Sequence, residues 1–572
     1  MYGGRTGFAQ RTSSVRRLLF LLLIAPAALA DDLTVTHISR LPDLDYVWAS
    51  ANPTRDGWPA AGQEIVWRAS VKNFSPSEVT AGVRWTLDGV TIARGTQTFA
   101  TNATTAVDLP STWSFDRHRL AFEVDAVAGE ESASNNRLEV FTDALSVGFW
   151  VEQSLYDFFR ARQRNLGVGS TCWEDWAQRL VGFYNHMAAM AVYPETPDGV
   201  VDRWRIEKIV VVPDGALPLA PPLVPQRGRD PSAGSTQPDV RDRSVDLMWG
   251  FRAATTGSYG DTRTATLANP FYVAPLIVHE LGHARYLTDV YGFDVVDQPP
   301  AFVNPFGMSH ATQLQGLMNR DFTFIDRYSA VCLNRIAGAR ATRGNYDEPE
   351  NIGAFLNDLP AENRLTIRDA GGAPLANAEV EIFQSTLDRY EEWYATDYDD
   401  VPDLTLRTDA NGQVLVGRCP FSNDGVVVNF WRGSNTVAIV RVNHALYGFL
   451  ESAAFNMEYW RGHTELGEID VLVGEHGDVC GVDGPTILDA KEDDGAVTLS
   501  WAGVDGATLY RVMAAADGGA PRTAIATAKT SATVRLAGGV YLWIEAERAG
   551  CPSVRSSTWH VVVAPIRRRA VS

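Results

Sequence analysis

Short strand-like runs that mix apolar and polar residues and alternate with turn residues mark three stretches of the chain. Between residues 31 and about 143 the runs are Glu64-Ile65-Val66-Trp67-Arg68-Ala69-Ser70-Val71, Gly82-Val83-Arg84-Trp85-Thr86-Leu87 and Leu120-Ala121-Phe122-Glu123-Val124-Asp125. They read as strands with one face in a core, and turn residues separate them at sandwich spacing. The same texture returns at 360–475, in Asn363 to Asp369, Ala376 to Phe383 and Thr408 to Val414, and at 482–564, in Ala496 to Trp501, Ala507 to Val512 and Val540 to Ala546. Between 144 and 345 the period lengthens. Helices are predicted over Trp173 to Tyr184 and Tyr328 to Ile336, strands over Ile206 to Val212 and Val245 to Phe251, and a long loop over the Pro-, Gly-, Asp- and Ser-rich Pro213 to Ser244. The pattern is that of a multidomain chain in which one α+β region is flanked by β-sandwiches.

A further helical stretch carries chemistry. Asn269-Pro270 supplies an N-cap and a first-turn proline, and Ala274, Ile277, Leu281 and Ala284 then form an apolar stripe. His279 and His283 stand opposite the stripe, one turn apart, so one face is expected to pack and the other to line a cleft. Pro275 would remove a hydrogen bond within such a helix, which allows a start at Pro275 itself. Two imidazoles at this spacing can converge on one Zn2+, while Glu280 beside them reaches its open side as the base for a metal-activated water. His186 and His310 lack such partner spacing and read as structural histidines. The acidic run Tyr398-Asp399-Asp400-Val401-Pro402-Asp403 is a candidate structural Ca2+ loop, but without EF-hand spacing it reads better as a solvated loop.

Arg5, Arg11, Arg16 and Arg17 precede the apolar run Leu18 to Ile24 and the small-residue pattern Ala28-Leu29-Ala30. This predicts a secretory signal peptide over residues 1–30, since the run is too short to span a bilayer; no later segment is long enough either. The expected location is therefore secreted: extracellular, periplasmic or at the cell surface. With 50 basic and 69 acidic residues the net charge is −19, and loss of the four leader arginines deepens it to −23. Such acidity argues against nucleic acid or an anionic membrane as a partner. Export permits disulfides among Cys172, Cys332, Cys419, Cys480 and Cys551, with an odd count that leaves at least one unpaired. By position, Cys172 with Cys332 would staple the central region, and Cys480 with Cys551 would tie the ends of the last.

The run from His279 to Gly292, HELGHARYLTDVYG, resembles metzincin-related peptidases of the immune-inhibitor-A, snapalysin and IgA-peptidase groups, whose pattern is HExGH followed by Leu-x-Asp-x-Tyr. The resemblance implies a zinc metalloendopeptidase with a metzincin-like core over 144–345. In it His279, His283 and Asp289 are the metal ligands, Glu280 is the general base, and Met318 is the Met-turn methionine beneath the metal. Tyr291 and Tyr328 are candidates for a phenol that binds the oxyanion or orients a ligand. Tyr286 departs from the pattern, which has glycine where the chain turns sharply after the second histidine. Either the helix runs longer, or Asp289 is not the third ligand and a thermolysin-like arrangement takes Glu348 or Glu350 instead.

The flanking regions carry resemblances of their own. Residues 31–143, with Val71-Lys72-Asn73-Phe74, the Leu87-Asp88-Gly89 turn and Glu130 to Arg137, are similar to the CARDB immunoglobulin-like domain. Residues 360–475, with Thr408-Asp409-Ala410-Asn411-Gly412, are similar to the transthyretin or carboxypeptidase-regulatory sandwich, and residues 482–564, with Trp501 and Tyr510, to a fibronectin type III module. These imply spacers or adhesion modules around a core that folds by itself. The expectation is a secreted zinc endopeptidase acting on protein or peptide, extracellular or surface-bound. The competing reading is a noncatalytic extracellular adhesion or binding protein with a degenerate peptidase core.

Overall fold

The computed structural model describes residues 32–44, 57–130, 132–166, 170–217, 242, 244–252, 270–295, 304–319, 321, 323–337, 354–386, 397–428, 434–477, 480, 482–493, 496–516, 519–536 and 538–563. The stretch expected to be a leader, most of the 213–244 segment, Asn269, Glu348 and Glu350 lie outside the described residues.

The first sandwich pairs a sheet of β1 (Leu33–Leu41), β2 (Glu64–Asn73) and β5 (Thr104–Thr112) with one of β4 (Val90–Phe99), β3 (Val79–Leu87), β6 (Arg119–Val124) and β7 (Arg137–Phe141). Trp67 and Val71 from one inner face meet Trp85 and Phe122 from the other. The hairpin from β3 to β4 turns on Asp88 and Gly89, at φ 49° and 80°, the paired left-handed conformation that matches strand twist.

In the central region β8 (Leu145–Glu152) is buried along its whole length between β9 (Trp204–Val212) and β10 (Leu247–Phe251), both parallel to it. A parallel strand covered on both faces needs a continuous apolar run, which Leu145 to Val151 largely supplies. Helices α1 (Gln153–Leu166) and α2 (Trp173–Met190) make the crossover to β9. Helix α3 (Pro270–His283) follows β10 and keeps Pro275 inside it, so a start at Pro275 is corrected to Pro270; α4 (Arg327–Arg335) comes later.

The third region is a second sandwich. Its sheets are β14 (Gln413–Leu415), β11 (Glu362–Arg368) and β17 (Leu466–Leu472) against β13 (Leu404–Arg407), β12 (Glu379–Phe383), β15 (Val437–Val442) and β16 (Leu446–Glu451), with α5 (Ser452–Trp460) between β16 and β17. The last sandwich sets β18 (Thr486–Asp493), β19 (Ala496–Ala502) and β22 (Ser531–Arg535) against β21 (Arg522–Thr527), β20 (Ala507–Ala516), β23 (Gly538–Arg548), β24 (Cys551–Arg555) and β25 (Trp559–Val563). A disulfide joins Cys480 to Cys551.

The packing joins the central region to the third. One hydrophobic core runs from Leu145, Trp204, Ile277 and Leu281 through Tyr328 to Leu365, Val380, Ile439 and Phe455, whereas the first and last sandwiches have cores of their own. Polar contacts cross the same boundary. Ser434 Oγ and Thr436 Oγ1 both donate to Gly292 O, at 2.6 and 2.7 Å, and Tyr328 donates to Asn456 Oδ1 at 3.1 Å. Tyr328 of α4 also packs on Trp460 of the third region at 5.1 Å, so the two regions share one hydrophobic core.

The expected Cys172–Cys332 pair is corrected. Cys172 and Cys332 are free buried thiols, and Cys419 is free as well. Cys172 is instead the N-cap of α2, its Sγ accepting from Asp175 N at 3.5 Å. The acidic run 398–403 is tied up locally: Asp399 Oδ1 accepts from Val401 N at 2.9 Å and Asp403 Oδ2 from Gln384 N at 2.8 Å, so these carboxylates shape a loop. Among the described residues no helix is long and apolar enough to cross a membrane.

Candidate metal centre

His279 and His283 project from the last turn of α3 with ring centroids 5.0 Å apart. Each Nδ1 lies 2.8 Å from a backbone carbonyl, Leu317 O for His279 and Leu287 O for His283. A carbonyl can only accept, so each ring carries a proton on Nδ1, and Nε2 is the nitrogen left to bind a metal once it has lost its own proton. Those Nε2 atoms sit 3.2 and 3.4 Å from Asp289 Oδ1. Ligands about 2.0–2.1 Å from a tetrahedral zinc ion are about 3.3 Å from one another, so the spacing and the donor set both fit such an ion. His279, His283 and Asp289 offer ligand atoms that all lie within 4.8 Å of one another, and all three are buried. Burial opposes the charge on Asp289, yet the two histidines hold its carboxyl well below the usual range.

Glu280 stands beside this trio without joining it. Burial pushes its carboxyl up to about 7, with His279 opposing and Asp289 adding to the rise. Its Oε2 has no hydrogen-bond partner among the described residues. His279, Glu280 and His283 are only 6 %, 7 % and 2 % exposed. From Ile277 to His283 both faces of α3 are buried.

The turn that delivers Asp289 explains Tyr286. Leu287 N donates to Gly282 O at 3.2 Å and Tyr286 N to His283 O at 3.0 Å, the reciprocal pair of a Schellman cap, and Tyr286 sits in the left-handed position at φ 63°. The helix therefore does not run on, and the turn forms without glycine. A left-handed tyrosine costs about 1–2 kcal/mol, while its buried ring packs on Ile336 and, edge-on, on Phe355 at 6.2 Å. Deleting a buried aromatic costs about 3–5 kcal/mol, so Tyr286→Gly should destabilise by about 2 kcal/mol although it relieves the backbone. Thermal unfolding checks this, and a raised Tm would refute it. The carbonyl of Leu287 in the same turn is the one that orients His283.

One part of the site has no local sequence signal. Arg285 Nη2 donates to Asp202 Oδ2 at 2.6 Å and to Ile336 O at 3.2 Å, a buried pair that ties the turn to a segment 83 residues away. Gly282 is the glycine of the HExGH pattern, and the structure shows what it makes room for. A Cβ there would lie 3.0 Å from Met318 Sδ and 3.2 Å from Leu287 Cδ1, so the glycine lets Met318 pack against α3. Met318 is fully buried, and its carbonyl accepts from Val290 N at 2.7 Å, pinning the residue after Asp289.

The remaining candidates fall elsewhere. Tyr291 lies in the 3-10 turn Val290–Phe293 and is half-buried. Tyr328 is corrected to a core residue: its ring packs on Phe293 at 5.7 Å and Trp460 at 5.1 Å, and its hydroxyl is spent on Asn456. His310 Nε2 is 2.7 Å from Glu451 Oε1, and the His186 ring packs at a tilt on Tyr541 at 4.8 Å, both structural contacts. Glu379, Glu381 and His444 form a second close group, but Arg441 already holds Glu381 at 2.7 Å and would repel a cation.

No protein-family model matches the chain, and no curated protein matches it. Among solved structures it is similar to a CARDB domain from Pyrococcus furiosus described as in complex with di-metal ions, at 17 % identity over 20 % of this chain and 86 % of that one, TM-score 0.15. It is also similar to the chicken CNTN1 FN1–FN3 domains, at 9 % identity over 36 % and 64 %, TM-score 0.14. A Bacteroides uniformis β-glucuronidase aligns at 9 % identity over 94 % and 61 %, TM-score 0.16. TM-scores this low carry no argument about this chain, so its function is argued from the site alone.

Proposed function

We propose that the chain is a secreted zinc endopeptidase with a metzincin-like centre, in which His279 Nε2, His283 Nε2 and an Asp289 carboxylate oxygen hold the metal. The observation that carries this reading is the approach of both Nε2 atoms to one Asp289 oxygen, at 3.2 and 3.4 Å, with Glu280 alongside. Zinc held by these three residues would supply Lewis acidity toward a scissile carbonyl and water. Glu280 would take a proton from the attacking water and return it to the leaving amine. The Leu317 and Leu287 carbonyls keep both imidazoles in the tautomer that can ligate, and the enclosed walls limit water and strengthen each electrostatic contact. A degenerate core in an adhesion protein would have no reason to keep a buried carboxylate with an unpartnered oxygen, since that arrangement costs stability.

The test is metal content together with casein cleavage. One zinc per chain, with cleavage that stops on chelation and resumes on zinc addition, is the expected result. Zinc-loaded protein that leaves casein and a mixed peptide library intact would favour the adhesion reading. Asp289→Ala should weaken zinc binding by at least about 100-fold in a chelator competition, more than the 10–100-fold typical of outer-shell partners. Unchanged affinity would place the third ligand elsewhere, with Glu348 and Glu350 the next residues to replace.

A further inference from the structure

We infer that the C-terminal sandwich, residues 482–563, is a positioning part of the metal centre, acting through its segment Arg555–Thr558 on the loop that carries Leu317 and Met318. The inference rests on the metal-centre reading above.

The loop between Gly316 and Asp326 has two ends with different duties. At one end Leu317 O orients His279 and Met318 O pins Val290. The two ends are joined by Leu317 N donating to Phe324 O at 2.7 Å, and a Cβ on Gly316 would fall 2.8 Å from Asp326 N, so they are packed tightly together. At the other end the loop is gripped from the last sandwich. The Arg555 guanidinium lies over Phe324 at 3.9 Å and over Trp543 at 4.6 Å. Ser557 Oγ donates to Asp321 Oδ2 at 2.7 Å, and Thr558 N donates to Thr323 Oγ1 at 3.0 Å. Arg555 Nη2 also donates to Thr558 Oγ1 at 2.8 Å, which keeps the gripping segment in shape.

The module is itself anchored to the same neighbourhood. Gln313 Nε2, three residues before Gly316, donates to Cys480 O at 3.0 Å, and the Cys480–Cys551 disulfide carries that anchor to the start of β24. Met190 at the end of α2 packs with Ala515 and Trp543. A loop without regular hydrogen-bonded structure takes its position from what surrounds it, and an outer-shell carbonyl sets the aim of the histidine it holds. The sandwich therefore reaches His279 through one loop and one carbonyl.

The experiment uses the full chain and compares Arg555→Ala, Arg555→Lys and Thr323→Val with Val497→Ala, which weakens the core of the same sandwich. Zinc affinity is read by chelator competition, site geometry by the visible absorption of the Co2+-loaded protein, and stability by thermal unfolding. Arg555→Ala is expected to weaken zinc about tenfold and shift the Co2+ bands, with Arg555→Lys recovering part of the loss and Thr323→Val weakening zinc about threefold. Val497→Ala should lower Tm with zinc affinity and Co2+ bands unchanged. Should Arg555→Ala not fold, Thr323→Val on the loop side carries the test. Unaltered metal binding in these loop-contact variants, or equal weakening in Val497→Ala, would overturn the positioning role while leaving the metal centre standing. An unaltered chain that binds neither zinc nor Co2+ would overturn the metal-centre reading and this inference with it.

Discussion

Glu280→Gln is expected to abolish hydrolysis while one zinc per chain is retained. The substitution keeps the shape and burial of the side chain but removes the group that can take a proton. The metal trio is untouched, because Glu280 stands outside the cluster of His279, His283 and Asp289. Loss of a general base typically costs about 10²–10⁴ in rate, and the enclosed position leaves little room for bulk water to substitute. Stability should hold or rise slightly, since a buried carboxylate with an unpartnered Oε2 gives way to a neutral amide. Initial rates on casein, with zinc measured on the same sample, make the comparison. Normal turnover by zinc-loaded Glu280→Gln would remove Glu280 from the mechanism.

A chain ended near residue 350 is expected not to fold. It would retain every element of the central region, yet the third region forms part of the same hydrophobic core. Removing that region uncovers Tyr328 and Phe293 on one side and leaves Gly292 O without its two hydroxyl donors. Uncovering a buried side chain of this size forfeits about 1.5–3 kcal/mol, so a handful of them consumes the whole stability of a typical domain, about 5–15 kcal/mol. A chain ended near 478 keeps that core and should fold, with weakened zinc binding if the last sandwich positions the site. Circular dichroism and dye binding to exposed apolar surface separate the two cases. A soluble, cooperatively unfolding, zinc-binding 350-residue chain would show that the central region covers itself.

The contrast between Cys480–Cys551 and Cys172 shows where reading the chain stops. The first pair bounds one sandwich, so its proximity follows from the sandwich closing on itself. Cys172 and Cys332 belong to a region whose path in space is set by a parallel sheet and a shared core, and proximity there has no trace in sequence distance. Tyr328 fails for the same reason, since nothing local says that Asn456 of another region will take its hydroxyl.

What the sequence determined by itself is whatever depends on short range. The strand-like runs between turn residues wrote the sandwich strands, and the spacing of His279, Glu280 and His283 placed them on adjoining faces of one helical turn because helix geometry leaves no other choice. What only the tertiary structure decided is whatever depends on partners far along the chain. Tyr286 takes a left-handed backbone because Ile336 and Phe355 bury its ring, Arg285 finds Asp202, and the Leu317 carbonyl meets His279 across a loop framed by the last sandwich. Each of these trades a local cost against a long-range contact, and that balance is settled only when the surfaces meet.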